Sequence, residues 1–319
     1  MEEIQIEDNI QESNSAESKI EIVNTVKGEP KFITVLKALL IPLAVFFAWY
    51  VINFTVQFIF SIVLAVYVAF KNPTLTQDVL ETKAMNLIYE NISLMYFIIT
   101  VAFIVLFFIL QKTIRFSKYV DLEYKRPKAF YVVSSILVGT FVGVVLNICL
   151  ELMSKVLPET WIEGNNESVQ AFQGGNIILM LIAVVICAPI AEELIFRGLI
   201  YNALKKIINL IPKVPSSKTR LISMLLSAVI SSALFGLYHG NILQGLYTGI
   251  LSLFMVWIYE MSGSLFTSML VHAAFNFAGL PTAIFVDQFG NVPSIIVCSI
   301  MTIIVVVFVF CFKNKKTTV

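Results

Sequence analysis

Residues 186–198 read Ile-Cys-Ala-Pro-Ile-Ala-Glu-Glu-Leu-Ile-Phe-Arg-Gly. Two adjacent carboxylates, Glu192 and Glu193, and a guanidinium, Arg197, sit in a run otherwise greasy enough for a bilayer. Ionisable groups at membrane depth are expensive and mark functional sites. The chain's two histidines, His239 and His272, also fall in apolar runs. We read these distant pieces as parts of one polar site.

The rest of the chain supplies a membrane setting. Of 319 residues, 58% are hydrophobic and 13% charged, with mean hydropathy +0.86. A soluble domain carries roughly 25% charge. Apolar runs of about 20 residues follow one another, the length that crosses a bilayer as helix. The fold class expected is all-α: a polytopic transmembrane helical bundle with spans near 36–70, 92–111, 130–153, 176–204, 221–239, 242–259, 264–280 and 292–312. The catalytic core falls in the fourth to seventh of these.

Charge placement orients the bundle. With both termini cytoplasmic, nineteen Lys and Arg lie on the inner side and only Lys71, Lys83 and Lys155 on the outer, the bias expected of a multi-pass protein of the cell membrane. An odd span count loses that asymmetry. The net charge of +1 gives no basis for binding nucleic acid. Cys149, Cys187, Cys298 and Cys311 show no CxxC spacing and read as small packing residues. The loop 154–175, with Glu159, Glu163 and Glu167, reads as a solvated connection, and the polar and apolar alternation over 198–220 as a helix leaving the membrane for the interface.

On a helix Glu193 and Arg197 are an i,i+4 pair, which favours an ion pair. Glu192, about 100 degrees round the helix, is then left free. A free carboxylate in an apolar cleft is suited to act as general base on water, although a purely structural ion-pair cluster would look the same in sequence. Pro189 removes a backbone hydrogen bond just before the pair, and freed backbone at membrane depth is tolerated where it lines a cavity. Phe235 lies one turn before His239, and His272 and Asn276 form another i,i+4 pair, whose side chains can donate to an oxyanion. Two hydrolytic chemistries remain open. Glu192, His239 and His272 are a donor set for catalytic zinc. Alternatively, no metal is needed: Glu192 and His239 activate water while His272 and Asn276 face the oxyanion. Outside hydrolysis, a non-catalytic membrane regulator or scaffold that binds a sensor kinase or a bacteriocin, and a proton-coupled transporter, use the same residue types.

Glu192-Glu193-Leu-Ile-Phe-Arg197 resembles the EExxxR motif of the CAAX prenyl protease and bacteriocin-processing (CPBP, or Abi) family of intramembrane proteases. Phe235-Gly-Leu-Tyr-His239 resembles its FxxxH motif, and His272-Ala-Ala-Phe-Asn276 its HxxxN motif, in the family's order over roughly residues 176–280. The resemblance implies an intramembrane protease in which Glu192 and His239 position the attacking water. It makes His272 and Asn276 the oxyanion donors, with Glu193 and Arg197 in support. It leaves both a zinc-dependent and a metal-free glutamate mechanism open. It implies a membrane-embedded peptide or protein as substrate, in CAAX-type processing, peptide maturation or bacteriocin immunity. The chain then divides into a disordered acidic cytoplasmic tail (1–30), three N-terminal spans (31–153), a CPBP-like core (154–280), and a last span with a basic tail (281–319).

Depth poses a constraint. At about 1.5 Å per residue, Glu192 lies about 24 Å along the fourth span and His239 about 27 Å along the fifth from the opposite side, in a core of about 30 Å. They meet if the fifth and sixth spans form a shallow hairpin, which we favour and which would open a wet cleft to the cytoplasmic face. They also meet if the fifth span starts below the membrane or the fourth breaks at Pro189.

Overall fold

The computed structural model describes residues 29–120, 122, 125–153, 156–171, 175–210 and 216–289, together with positions 293, 296 and 300. No strand occurs among them. Nine helices follow in order: α1 (Lys31–Lys71), α2 (Gln77–Glu90), α3 (Ile92–Ile114), α4 (Ala129–Met153), α5 (Glu159–Ala171), α6 (Ile177–Asn209), α7 (Ser216–Tyr238), α8 (Ile242–Ser262) and α9 (Leu265–Phe289). Six of these, α1, α3, α4, α6, α7 and α8, are long and apolar enough to cross a membrane. Helix α9 contributes a shorter apolar stretch, Leu265–Gly279. The chain is therefore a multi-pass helical membrane protein. The expected span at 292–312, apart from positions 293, 296 and 300, and most of the acidic tail lie outside the described residues.

Two of the shorter helices are additions to what hydropathy foretold. The stretch read as a solvated loop contains α5, a 13-residue helix with Glu159 in its first turn, where a carboxylate suits the helix dipole. Helix α2 likewise lies in the connection between α1 and α3, with Asp78 in its first turn.

The centre of the bundle is α6, half of whose most apolar window is buried, against 22% for α1. Leu194, Ile195, Phe196, Arg197, Gly198 and Leu199 are all buried. Helices α1, α3, α7 and α9 pack around it. On the outer side α1 leaves Phe47, Phe54 and Phe70 largely exposed, as suits a surface whose solvent is lipid. At its foot Lys37 Nζ donates to Glu29 (2.8 Å) and to the Tyr119 hydroxyl (3.0 Å), which itself donates to Glu29 (2.9 Å). The hydrogen bond from Lys37 holds the Glu29 carboxyl below its ordinary range.

Close helix approaches use glycine, as membrane bundles do. A Cβ on Gly139 of α4 would lie 2.2 Å from the Val271 carbonyl oxygen, and one on Gly143 would lie 3.0 Å from that of Phe275. This contact sets α9, and so His272, against α4. Gly139→Val is therefore expected to force α9 outward and cost about 1–3 kcal/mol of stability, read as a lowered thermal midpoint in detergent. Helices α7 and α8 cross at a second such point, where a Cβ on Gly236 would meet the Gly245 carbonyl oxygen at 2.4 Å.

Levels along α6 and α7 match without a shortened hairpin. Helix α6 runs to Asn209 where hydropathy ends it at 204, and α7 begins at Ser216 rather than 221. Antiparallel packing then brings Phe235 beside Phe196, with ring centroids 4.9 Å apart. Both α7 and α8 keep lengths fit for full spans, 23 and 21 residues. The polar face of residues 198–209 is not turned to solvent as an interfacial helix would be. Tyr201 donates to Glu260 of α8 (2.8 Å), Lys205 pairs with the same carboxylate, and Asn202 donates to the Tyr259 hydroxyl (2.8 Å).

Candidate active site

Helix α6 is not uniform. Two π-helical segments, Ile182–Cys187 and Leu194–Tyr201, bracket a short α-helical stretch, Ala188–Glu193. π-Helical turns within α-helices concentrate at functional sites, and Pro189 accounts for the first. The Ala188 N–H bonds back to the Ala183 oxygen. The next amide in that i→i−5 register belongs to Pro189, which has no N–H, so the Val184 carbonyl loses its partner within the helix. Asn276 of α9 supplies one: its Nδ2 donates to Val184 O at 2.9 Å. In the second segment side chains also reach backbone carbonyls: Ser231 of α7 donates to Phe196 O (3.1 Å), and Asn202, on α6 itself, to Gly198 O (3.2 Å). Satisfying freed carbonyls from neighbouring helices is what allows irregular backbone inside a bilayer.

The α-helical stretch carries the two carboxylates in different surroundings. Glu193 is fully buried and saturated. Its Oε1 accepts from Arg197 Nη1 (2.7 Å) and lies 3.1 Å from His272 Nδ1, and its Oε2 accepts from Ser268. The i,i+4 ion pair expected from sequence is thus formed, with neither partner exposed. Glu192 is also buried, but its Oε2 has no hydrogen-bond partner. His272 Nε2 lies 3.7 Å from that oxygen. One histidine therefore stands between the two glutamates, with one ring nitrogen toward each.

Phe235 organises the other side. The Arg197 guanidinium lies 4.5 Å from its ring centroid, a cation–π contact that accounts for a cation so deep in the bundle. His239 and His272 stand edge-on to the same ring, at 4.9 and 5.6 Å. His239 directs Nδ1 at the Phe235 carbonyl oxygen (2.8 Å), with the Thr248 hydroxyl 3.4 Å from the same nitrogen. That bond puts the proton on Nδ1 and leaves Nε2 as an acceptor. All seven residues singled out from sequence thus belong to one connected neighbourhood on α6, α7 and α9. Asn276 joins it with one of its two amide protons already spent on Val184.

Several participants had no motif to announce them. Ser268 looked like one more small residue in an apolar run; its place one turn before His272 was the available signal. Tyr238 adjoins His239, with ring centroids 5.2 Å apart. It also lies within electrostatic reach of Glu192, as does Tyr96 of α3. Tyr238 further lines an apolar cavity of about 320 Å³ between α1, α6 and α7, shared with Phe46, Tyr50, Phe196 and Leu234.

For the donor set considered for zinc, His272 Nδ1 is engaged by Glu193 and His239 Nδ1 by a carbonyl, which leaves Nε2 of each ring free, the outer bonding that metal-ligating histidines also use. Among the described residues, no three His, Cys, Asp or Glu side chains converge on one point.

Compared with known proteins, residues 174–278 match the family described as Type II CAAX prenyl endopeptidase Rce1-like. No curated protein and no solved structure matches the chain. The matched stretch runs from the start of α6 into α9 and contains every charged, imidazole and amide group of the site described above. Residues 174–278 are therefore an Rce1-like domain of the CPBP family, which makes the chain a multi-pass membrane protein built around a protease domain of CAAX type.

Proposed function

We propose that the protein is an intramembrane endopeptidase that hydrolyses a peptide bond of a membrane-associated peptide or protein with water activated by Glu192. The observation that carries this reading is the contrast between the carboxylates: Glu193 is fully hydrogen-bonded, whereas Glu192 keeps an unpartnered oxygen 3.7 Å from His272. Glu192 takes a proton from water, which His239 Nε2 helps to hold, and the hydroxide adds to the scissile carbonyl carbon. The oxyanion that forms faces His272 Nε2 and the second amide proton of Asn276. With Nδ1–H committed to Glu193, Nε2 donates to the oxyanion only when the ring carries both protons. Collapse of the adduct breaks the C–N bond, and Glu192 returns its proton to the leaving amine. This route needs no metal; were zinc bound, Glu192 and the Nε2 atoms of His239 and His272 would hold it and it would polarise the attacking water, and metal analysis of the purified protein distinguishes the two.

Substrate chemistry follows from the setting. The apolar cavity beside Tyr238 offers room for an aliphatic part of the substrate next to the reacting bond. That suits maturation of a membrane peptide, CAAX-type trimming or clearance of a bacteriocin. Residence in the cell membrane with both termini in the cytoplasm completes the reading and rests on the charge bias of the loops.

Comparative peptidomics of membranes holding the wild-type protein or Glu192→Ala tests the proposal. Peptides that end at a common new site should appear only with the wild type, their uncut precursor accumulating with the variant. Identical peptide sets, with function retained in the variant, would favour the non-catalytic regulator instead.

A further inference from the structure

We propose that Ser268 is a positioning residue: by occupying Glu193 Oε2 it keeps Oε1 turned to His272, and so fixes which imidazole nitrogen faces Glu192. Ser268 stands one turn before His272 on α9, and its side chain is fully buried. Its hydroxyl donates to Glu193 Oε2, while Oε1 is shared between Arg197 Nη1 at 2.7 Å and His272 Nδ1 at 3.1 Å.

The argument turns on what Glu193 would otherwise do. A guanidinium and a carboxylate prefer two parallel hydrogen bonds. Arg197 has the groups for it, since its Nε and Nη2 are buried without partners. Yet only Nη1 is bonded to Glu193. Ser268 holds the second carboxylate oxygen away from that fork. With the hydroxyl gone, Glu193 rotates into a two-bond pair with Arg197 and releases His272. The imidazole is then free to turn or to change tautomer, and Nε2 no longer faces Glu192 at the 3.7 Å of the intact site. The logic is that of an orienting carboxylate in a hydrolytic triad, with the serine one step further back. Its catalytic consequence rests on the hydrolytic reading above, but the geometry can be tested without turnover.

The chain has two histidines, so His239→Gln leaves His272 as the sole imidazole. Nitrogen-15 spectra of that protein in detergent should show a protonated Nδ1 whose proton exchanges slowly with water. Adding Ser268→Ala should abolish that slow exchange or give mixed tautomers, and adding Ser268→Thr, which keeps the hydroxyl, should preserve the parent signal. An Nδ1–H signal unchanged in Ser268→Ala overturns the proposal. So does its loss in a folded Ser268→Thr. Should Ser268→Ala fail to fold, Ser268→Cys, a weaker donor, takes its place, with an intermediate exchange rate expected and an unchanged one overturning. Where turnover is measured with His239 intact, Ser268→Ala should lower kcat about a hundredfold with KM unchanged, and Ser268→Thr should restore it. An entirely inactive parent enzyme would defeat the peptidase reading and leave the spectroscopic result standing.

Discussion

Glu192→Gln is expected to lower the single-turnover rate of substrate cleavage about 10²–10⁴-fold, the usual contribution of a positioned general base, and to leave the protein folded in the membrane. The amide has the same shape, so packing around this buried side chain is kept. The carboxylate oxygen that faces His272 makes no hydrogen bond within the protein, so none of its bonds is lost. Removing a buried charge also relieves a desolvation cost, and the thermal midpoint should stay level or rise. Cleavage in proteoliposomes, measured beside unfolding in detergent, checks both halves. Full activity in Glu192→Gln would remove this side chain from the chemistry. A lowered midpoint would make it a structural member of the ion cluster.

Arg197→Met should do the opposite, harming the fold before the chemistry. Arg197 and Glu193 are both fully buried and 2.7 Å apart. Taking one partner from a buried pair strands the other charge, at a cost of about 3–5 kcal/mol. The contact with the Phe235 ring goes as well. Arg197→Met alone should give a sharply lowered thermal midpoint and little protein in the membrane. The double variant Glu193→Gln, Arg197→Met should recover much of the midpoint, because Glu193 no longer leaves a stranded charge, yet stay inactive because His272 has lost its orienting partner. A single variant as stable as wild type would show that Glu193 finds another cation or gives up its charge.

The residues that were legible in the sequence are those whose cost is visible in it. A carboxylate, a guanidinium or an imidazole in an apolar run stands out because water is absent, and i,i+4 spacing alone paired Glu193 with Arg197. Hydropathy likewise found the long helices, since a bilayer imposes their length. Backbone geometry left no such trace. Nothing in the composition of 182–187 distinguishes a π-helical from an α-helical turn, although Pro189 identifies in hindsight the carbonyl that needed Asn276. Ser268 and Tyr238 escaped because hydroxyls in membrane helices are common and mostly pack or bond locally. Helix α5 escaped because a short polar helix and a solvated loop have the same hydropathy. The meeting of α6 and α7 was misjudged by a few residues at each end, where helix boundaries are least certain and where a shift of one turn moves a side chain by about 5.4 Å.

The bond from Asn276 to Val184 has a mechanical meaning. With Ser268 and His272 on Glu193, it ties α9 to α6 on both sides of the Glu192–His272 gap. These ties are short, half-buried at Asn276 and buried at Glu193, so that pair of helices is braced as a single stiff jaw. On the proposed mechanism, the spacing used to activate water then stays constant through turnover. The give needed to admit a peptide and release its fragments has to come from the facing helices, α1 and α7, whose contacts with α6 run largely through Phe46, Phe196 and Tyr238.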